Sequence, residues 1–182
     1  MSFAPDLLTQ RLTLVAITPS LLRLDAPQLA RALNADVPGL WPPEHWEPHV
    51  FDFLEKQYDR APHTIAWNRY VLLRSQLPTL IGTIGGFPRS ETEAEIGYSI
   101  LGPWQRQGFA TEALLAILNE ISRTAAVETI TAQTFPHLVA SIRVLEKCGF
   151  APAGAGDEEG TVRYRRTTPG FTPGSLAASS ER

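Results

Sequence analysis

The chain carries one cysteine and one methionine in 182 residues. A single thiol gives no internal disulfide framework, so the fold must rest on a packed core, and a reducing compartment is allowed. Charge is also sparse, with 19% charged residues and a formal net charge of −3. That balance excludes the basic footprint expected of a nucleic-acid binder. No apolar run approaches the roughly 20 residues that span a membrane. The opening MSFAPDLLTQ lacks the basic and apolar regions of a signal peptide. The expectation is therefore a cytoplasmic protein whose partner is neither nucleic acid nor membrane. No G-x-x-x-x-G-K-[ST] run occurs, which argues against a nucleotide-phosphate enzyme.

What is present fits one domain with a substantial core, since 43% of residues are apolar. Residues 11–17 alternate and read as a strand. Thr18-Pro19 starts a helical stretch to residue 34, and Pro27 is expected to divide it into two short helices, the second capped by Asp25. Residues 37–48 hold four prolines, with Trp41 and Trp46, and cannot be regular structure. Their rings must pack on the domain, a ligand or another subunit. Residues 49–60 form an amphipathic helix. Residues 66–74, 79–87 and 93–101 read as an antiparallel meander, with Gly85-Gly86 marking a bulge or a close backbone approach.

The organising stretch follows. Residues 93–101 end at Gly102-Pro103, and Leu114, Ile117, Leu118 and Ile121 then fall on one helical face. Between them lies Gln105-Arg106-Gln107-Gly108-Phe109-Ala110. The first N–H groups of a helix lack partners, and the dipole puts positive charge at that end. Small residues at 108 and 110 let an anion reach the backbone, and Arg106 adds charge at the rim. Glu112 would repel that anion and is expected to turn away. Residues 128–135 read as a strand parallel to 93–101, because a helix joins the two. A helix over 138–148, with Leu138, Ile142 and Leu145 inward, stops at Gly149. Residues 150–153 and 161–167 form a closing pair. Cys148 reads as a small core residue. Residues 168–182 are expected to be a disordered tail after a domain over 1–167.

Two blocks carry a family resemblance. Gln105-x-x-Gly108-x-Ala110, between strand and helix, resembles the acyl-CoA pyrophosphate loop of the GCN5-related N-acetyltransferases (GNAT). The run FPHLVASIRVLEKCGF at 135–150 resembles that superfamily's second diagnostic block, in the branch similar to the ribosomal-protein acetyltransferases RimJ and RimL. The resemblance implies an α/β (α+β mixed) fold with about seven strands, mostly antiparallel, and about four helices. Its fourth and fifth strands form a splayed parallel pair. It implies acetyl-CoA as co-substrate, no metal, and acetyl transfer to a primary amine on a small molecule or a protein N-terminus, by a monomer or homodimer.

The same resemblance assigns the cofactor to Ile100, Leu101, Gln105, Arg106, Gln107, Gly108, Phe109, Ala110, Thr111 and Ser141. It points to Glu95 as general base, with His137 as runner-up, and to Ser141 as a donor to the leaving sulfur. The acceptor segment would include Trp41, His45 and Trp46, with Glu44 and His49 nearby. Two departures stand out: Leu145 occupies the place of the superfamily's helix tyrosine, and Leu138 that of the branch's asparagine. They leave open an acyl-CoA-binding sensor that has lost turnover.

Overall fold

The alternation in residues 12–16 is that of a strand with one covered face, and Leu12, Leu14 and Ala16 are all buried. In the computed structural model, which describes residues 4–43, 46 and 48–168, that strand is β2 (Leu12–Ala16). The remaining strands are β1 (Leu7–Leu8), β3 (Arg69–Leu73), β4 (Thr79–Pro88), β5 (Glu93–Ile100), β6 (Thr129–Thr134), β7 (Ala151–Ala155) and β8 (Val162–Thr167). They form a single sheet of eight, ordered β1-β2-β3-β4-β5-β6-β8-β7. Every pairing is antiparallel except β5 with β6. The eighth strand, beyond the seven expected, is the two-residue edge strand β1.

Among the described residues five α-helices accompany the sheet: α1 (Pro19–Leu22), α2 (Ala26–Leu33), α3 (Pro48–Arg60), α4 (Phe109–Thr124) and α5 (Val139–Lys147). The helical stretch after β2 does break, but at residues 23–25 rather than at Pro27. Pro27 sits in the first turn of α2, where its missing N–H is harmless. Asp25 caps α2 in a reciprocal box: Gln28 N–H donates to Asp25 Oδ1 at 2.8 Å, and Asp25 N–H to Gln28 Oε1 at 3.1 Å. The strand expected over 66–74 begins only at Arg69, because residues 62–66 form a 3-10 turn that takes in Ala66. Leu138 precedes α5 rather than belonging to it and is 44% exposed, so it does not face the core as expected.

α4 lies against the middle of the sheet. Leu114, Ile117, Leu118 and Ile121 are buried with Ala94, Ile96 and Ile100 of β5. Each such side chain contributes about 1.5–3 kcal/mol by leaving water. A second buried cluster, including Ile17, Leu29, Leu54 and Tyr70, joins β2, α2, α3 and β3.

The parallel pair is short. Its register runs from Glu93↔Thr129 to Ile96↔Ala132 and stops, whereas β5 stays paired with β4 as far as Gly82↔Ile100. From Gly97 onward β5 therefore has a strand on one side and a gap on the other.

Candidate active site

That gap opens into a cleft of about 1090 Å³. Leu101 N–H donates to Ile81 O at 2.8 Å. In an antiparallel ladder alternate residues face alternate neighbours, so Tyr98 and Ile100 turn their main-chain groups toward the gap. The Ile100 carbonyl accepts Gln105 Nε2 at 2.7 Å, which ties the following loop to the strand end. Of the expected cofactor residues, Ile100, Gln105, Arg106, Gly108, Phe109, Ala110, Thr111 and Ser141 line the cleft. Leu101 and Gln107 do not.

The loop between β5 and α4 is held tightly. Gln107 Nε2 donates to Pro103 O at 3.0 Å. Gly108 is the N-cap of α4 with φ 84°, and Arg106 also has a positive φ of 62°. Holding a non-glycine residue there costs about 1–2 kcal/mol, so the surroundings dictate the turn. Among the described residues no side chain caps α4. Its first N–H groups, on Phe109, Ala110 and Thr111, thus have no intrahelical acceptor and stand at the cleft wall.

Arg11, just before β2, braces this loop. Its Nη1 donates to Gln107 O at 2.9 Å, and its guanidinium lies 4.3 Å from the centre of the Phe109 ring. Its Nε and main-chain N–H both donate to Glu112 at 2.7 Å, and Thr9 Oγ1 donates to the same carboxylate at 2.6 Å. Burial pushes the Glu112 carboxyl up, but these donors outweigh it and hold it below the usual range. Glu112 is engaged with Arg11 and Thr9, which keeps its charge from the N-terminus of its own helix.

On the far wall, Tyr98 reaches α5. Its hydroxyl lies 3.1 Å from Ser141 O and 3.2 Å from Ser141 Oγ. Burial raises the phenol to about 12, so it stays protonated and able to donate at neutral pH. Leu145, where a tyrosine was expected from the family pattern, is buried in the core. Cys148 is buried beside it, and burial raises its thiol to about 11. The neutral thiol is not a nucleophile.

Glu95 sits at the closed end of the cleft, with its side chain 14% exposed. Gln133 Nε2 donates to both of its oxygens at 3.1 Å, and Arg89 Nε is 3.6 Å away. The same Gln133 and Arg89 reach Asp157 in the β7–β8 loop, at 3.0 and 2.7 Å, and Arg163 also pairs with Asp157. Asp157 N–H closes the ring onto Gln133 Oε1. The hydrogen bond from the Arg163 guanidinium holds the Asp157 carboxyl low, against the opposing effect of burial. His137 lies at the cleft rim, stacked on Phe135 with ring centres 5.5 Å apart.

The tryptophans pack on the domain. Trp41 stands edge-on to Tyr70 at 5.7 Å and lines neither this cleft nor the smaller cavity beyond β5. Trp46 meets Phe51 at 5.6 Å and lines the smaller cavity. His49 is in the first turn of α3. Glu44 and His45 lie outside the described residues, as does the expected tail apart from Thr168. Arg11, Tyr98, Gln133 and Asp157 were not singled out by the sequence. Each acts across a separation of 24 residues or more. Among the described residues there is no cluster of three or more His, Cys, Asp or Glu able to hold a metal ion. Nor is any described helix long and apolar enough to cross a membrane.

Comparison with known proteins agrees with this geometry. The ribosomal protein uS5-alanine N-acetyltransferase of Escherichia coli is 34% identical over 87 residues, which is 43% of this chain and 45% of that protein. The chain spans about half the length of the curated relatives it matches, 45% and 56%. The ribosomal-protein-S5-alanine acetyltransferase of Vibrio fischeri superposes with a TM-score of 0.67 at 17% identity, over 93% of this chain and 100% of that one. RimL, a ribosomal L7/L12 acetyltransferase solved with coenzyme A, superposes with a TM-score of 0.59 at 17% identity, over 87% and 95%. Residues 11–151 match the family described as the acetyltransferase (GNAT) domain. The chain, with its splayed parallel pair and its uncapped helix at the mouth of the gap, belongs to the GNAT acetyltransferase domain family.

Proposed function

We propose that the chain is an acetyl-CoA-dependent N-acetyltransferase acting on a primary amine, such as a protein N-terminus. The observation that carries the reading is the N-terminus of α4: no described side chain caps it, it starts at a left-handed Gly108 in a loop braced by Arg11, and it opens on a cleft lined by Arg106. A pyrophosphate fits such a site because unpaired N–H groups and the helix dipole both favour an anion. The main-chain edge of Tyr98 and Ile100 would hold an extended amide-bearing arm as a missing strand does. The relatives' names, which concern ribosomal-protein N-termini, support an N-terminal amine.

Acetyl-CoA supplies the activated acyl group. The chain's residues do the rest. Glu95 takes the proton that the acceptor ammonium must lose before its nitrogen can attack. The N–H of Tyr98 or Ile100 stabilises the developing oxyanion. Nitrogen–carbon bond formation then breaks the carbon–sulfur bond, and Ser141 Oγ–H donates to the departing sulfur.

A calorimetric titration of acetyl-CoA into wild type and Gly108→Glu tests the reading. Binding that the variant abolishes is expected, because a carboxylate would occupy the anion's place. Equal affinity in the variant sinks the loop assignment, and no binding by wild type sinks the enzyme. A second reading, an acyl-CoA sensor without turnover, is favoured by the engagement of Glu95 with Gln133 and Arg89. Acetyl-CoA binding without thiol release against any amine would select it.

A further inference from the structure

Two carboxylates and two guanidiniums meet at the closed end of the cleft, and they are not shared out evenly. Asp157, in the β7–β8 loop, accepts from Arg89 Nη2 at 2.7 Å and from Arg163 Nη2. Among the described residues Glu95 accepts only from the neutral amide of Gln133, at 3.1 Å to each oxygen. Arg89 Nε stops 3.6 Å from Glu95 Oε2, beyond hydrogen-bond reach. Glu95 and Asp157 are the only described carboxylates that Arg89 pairs with. The half-exposed carboxylate therefore holds both cations, and the sheltered one is left with an uncharged donor.

The placement of Asp157 is built into its loop. Asp157 N–H donates to Gln133 Oε1. The residue before it is Gly156, and a Cβ there would fall 2.5 Å from Gln133 Oε1 and 2.0 Å from Thr161 Oγ1. Only a glycine lets the backbone come so close. Thr161 is fixed in turn: its N–H and its Oγ1 both donate to Glu158 O, at 3.1 and 2.7 Å, and Gly156 N–H donates to Thr161 O at 2.9 Å. On the other side, Arg89 N–H donates to Glu93 O at 2.8 Å in the turn between β4 and β5. The guanidinium thus springs from a fixed point and has two carboxylates to choose between. Asp157 stays charged, because the hydrogen bond from Arg163 holds its carboxyl low.

Resting on the reading of Glu95 as the base, we infer that Asp157 is a positioning residue. It holds Arg89 off Glu95 and so keeps the base free of a cationic donor. Gln133 orients Glu95 without adding charge. A guanidinium hydrogen-bonded to a carboxylate is among the stronger polar pairs in proteins. A base engaged in that way must give up the pair before it can take a proton from the acceptor.

Asp157→Asn tests this, since it removes the charge and keeps the shape and the main-chain N–H. In a crystal structure of the variant, Arg89 should lie within about 3 Å of a Glu95 oxygen. An Arg89 that stays at position 157 or turns to solvent overturns the inference. Thiol release from acetyl-CoA with an Ala-first hexapeptide should fall by about tenfold in kcat, while acetyl-CoA affinity by calorimetry stays within about twofold. Adding Arg89→Met should restore most of the lost turnover, because the cation that engages the base is then gone. If Asp157 only anchors the loop, the double variant will be as slow as Asp157→Asn or slower, and that result overturns the inference. In a Glu95→Gln background, Asp157→Asn should cost nothing more. Full turnover by Glu95→Gln removes the reading beneath the inference. An inactive Glu95→Gln beside an Asp157→Asn as fast as wild type overturns the inference alone.

Discussion

The hydroxyl of Tyr98, on β5, lies 3.2 Å from Ser141 Oγ, on α5, across the gap where the sheet has come apart. Two groups capable of hydrogen bonding a departing sulfur thus meet in the cleft wall that also carries Leu145. The phenol, raised to about 12 by burial, is too weak an acid to give up its proton readily, but it remains a permanent donor. Its suitable task is to fix the rotor of the Ser141 hydroxyl. Tyr98→Phe should lower kcat by about tenfold with acetyl-CoA affinity little changed, since the Ser141 hydroxyl would no longer be oriented for the bond it makes to the sulfur at the transition state. Combined with Ser141→Ala, the losses should be less than additive. Full additivity in steady-state kinetics would mean the two act apart.

Glu95→Gln should reduce turnover by about 10²-fold or more, in the range of a lost general base, without loss of acetyl-CoA affinity. Retained activity would transfer the role to His137 or to a water chain. Gln133→Leu would release the carboxylate from its amide and from the Asp157 ring. Its effect should fall on kcat rather than on acetyl-CoA affinity, because the carboxylate would no longer be held in place by the Gln133 amide.

Arg11→Met should weaken acetyl-CoA binding several-fold at low salt and less at high salt, because the guanidinium lies beside the proposed phosphate site and its reach is screened by ions. Titrations at two ionic strengths check this. A salt-independent loss would mean that Arg11 acts only through loop geometry.

Glu112 gives a pH-dependent expectation. Its folded carboxyl is held below the ordinary value, so the stabilisation is present at neutral pH and lost as pH falls through the folded value. Glu112→Gln should therefore be less stable than wild type at pH 7, by about 1–2 kcal/mol for a partly exposed charged network. The gap should narrow below about pH 4.5. Thermal melts at pH 7 and pH 4 measure it; a constant gap would assign the effect to packing.

Sequence was informative where the cause is local. The β5–loop–α4 unit was legible because strand composition, turn residues and helical period all act within neighbouring residues. The parallel pairing of β6 followed from a connection rule. Leu138 was misjudged because the helix starts one residue later, which removes it from the 3.6-residue period. Arg11 was invisible because its partner Gln107 is 96 positions away. Tyr98 was readable as a strand residue, but its contact with α5 depends on how far β5 and β6 diverge. The Gln133–Asp157 ring depends on a pairing between β6 and β8 that carries no local signature.

The seam between β5 and β6 spans only the positions from Glu93↔Thr129 to Ile96↔Ala132. The half of the sheet that carries β1–β4 is joined by main-chain pairing to the half that carries β7 and β8 along this short seam, with the Tyr98–Ser141 contact bridging it farther on. The seam closes at the Glu95 end, so a molecule laid along the open edge would continue the pairing that β6 leaves unmade.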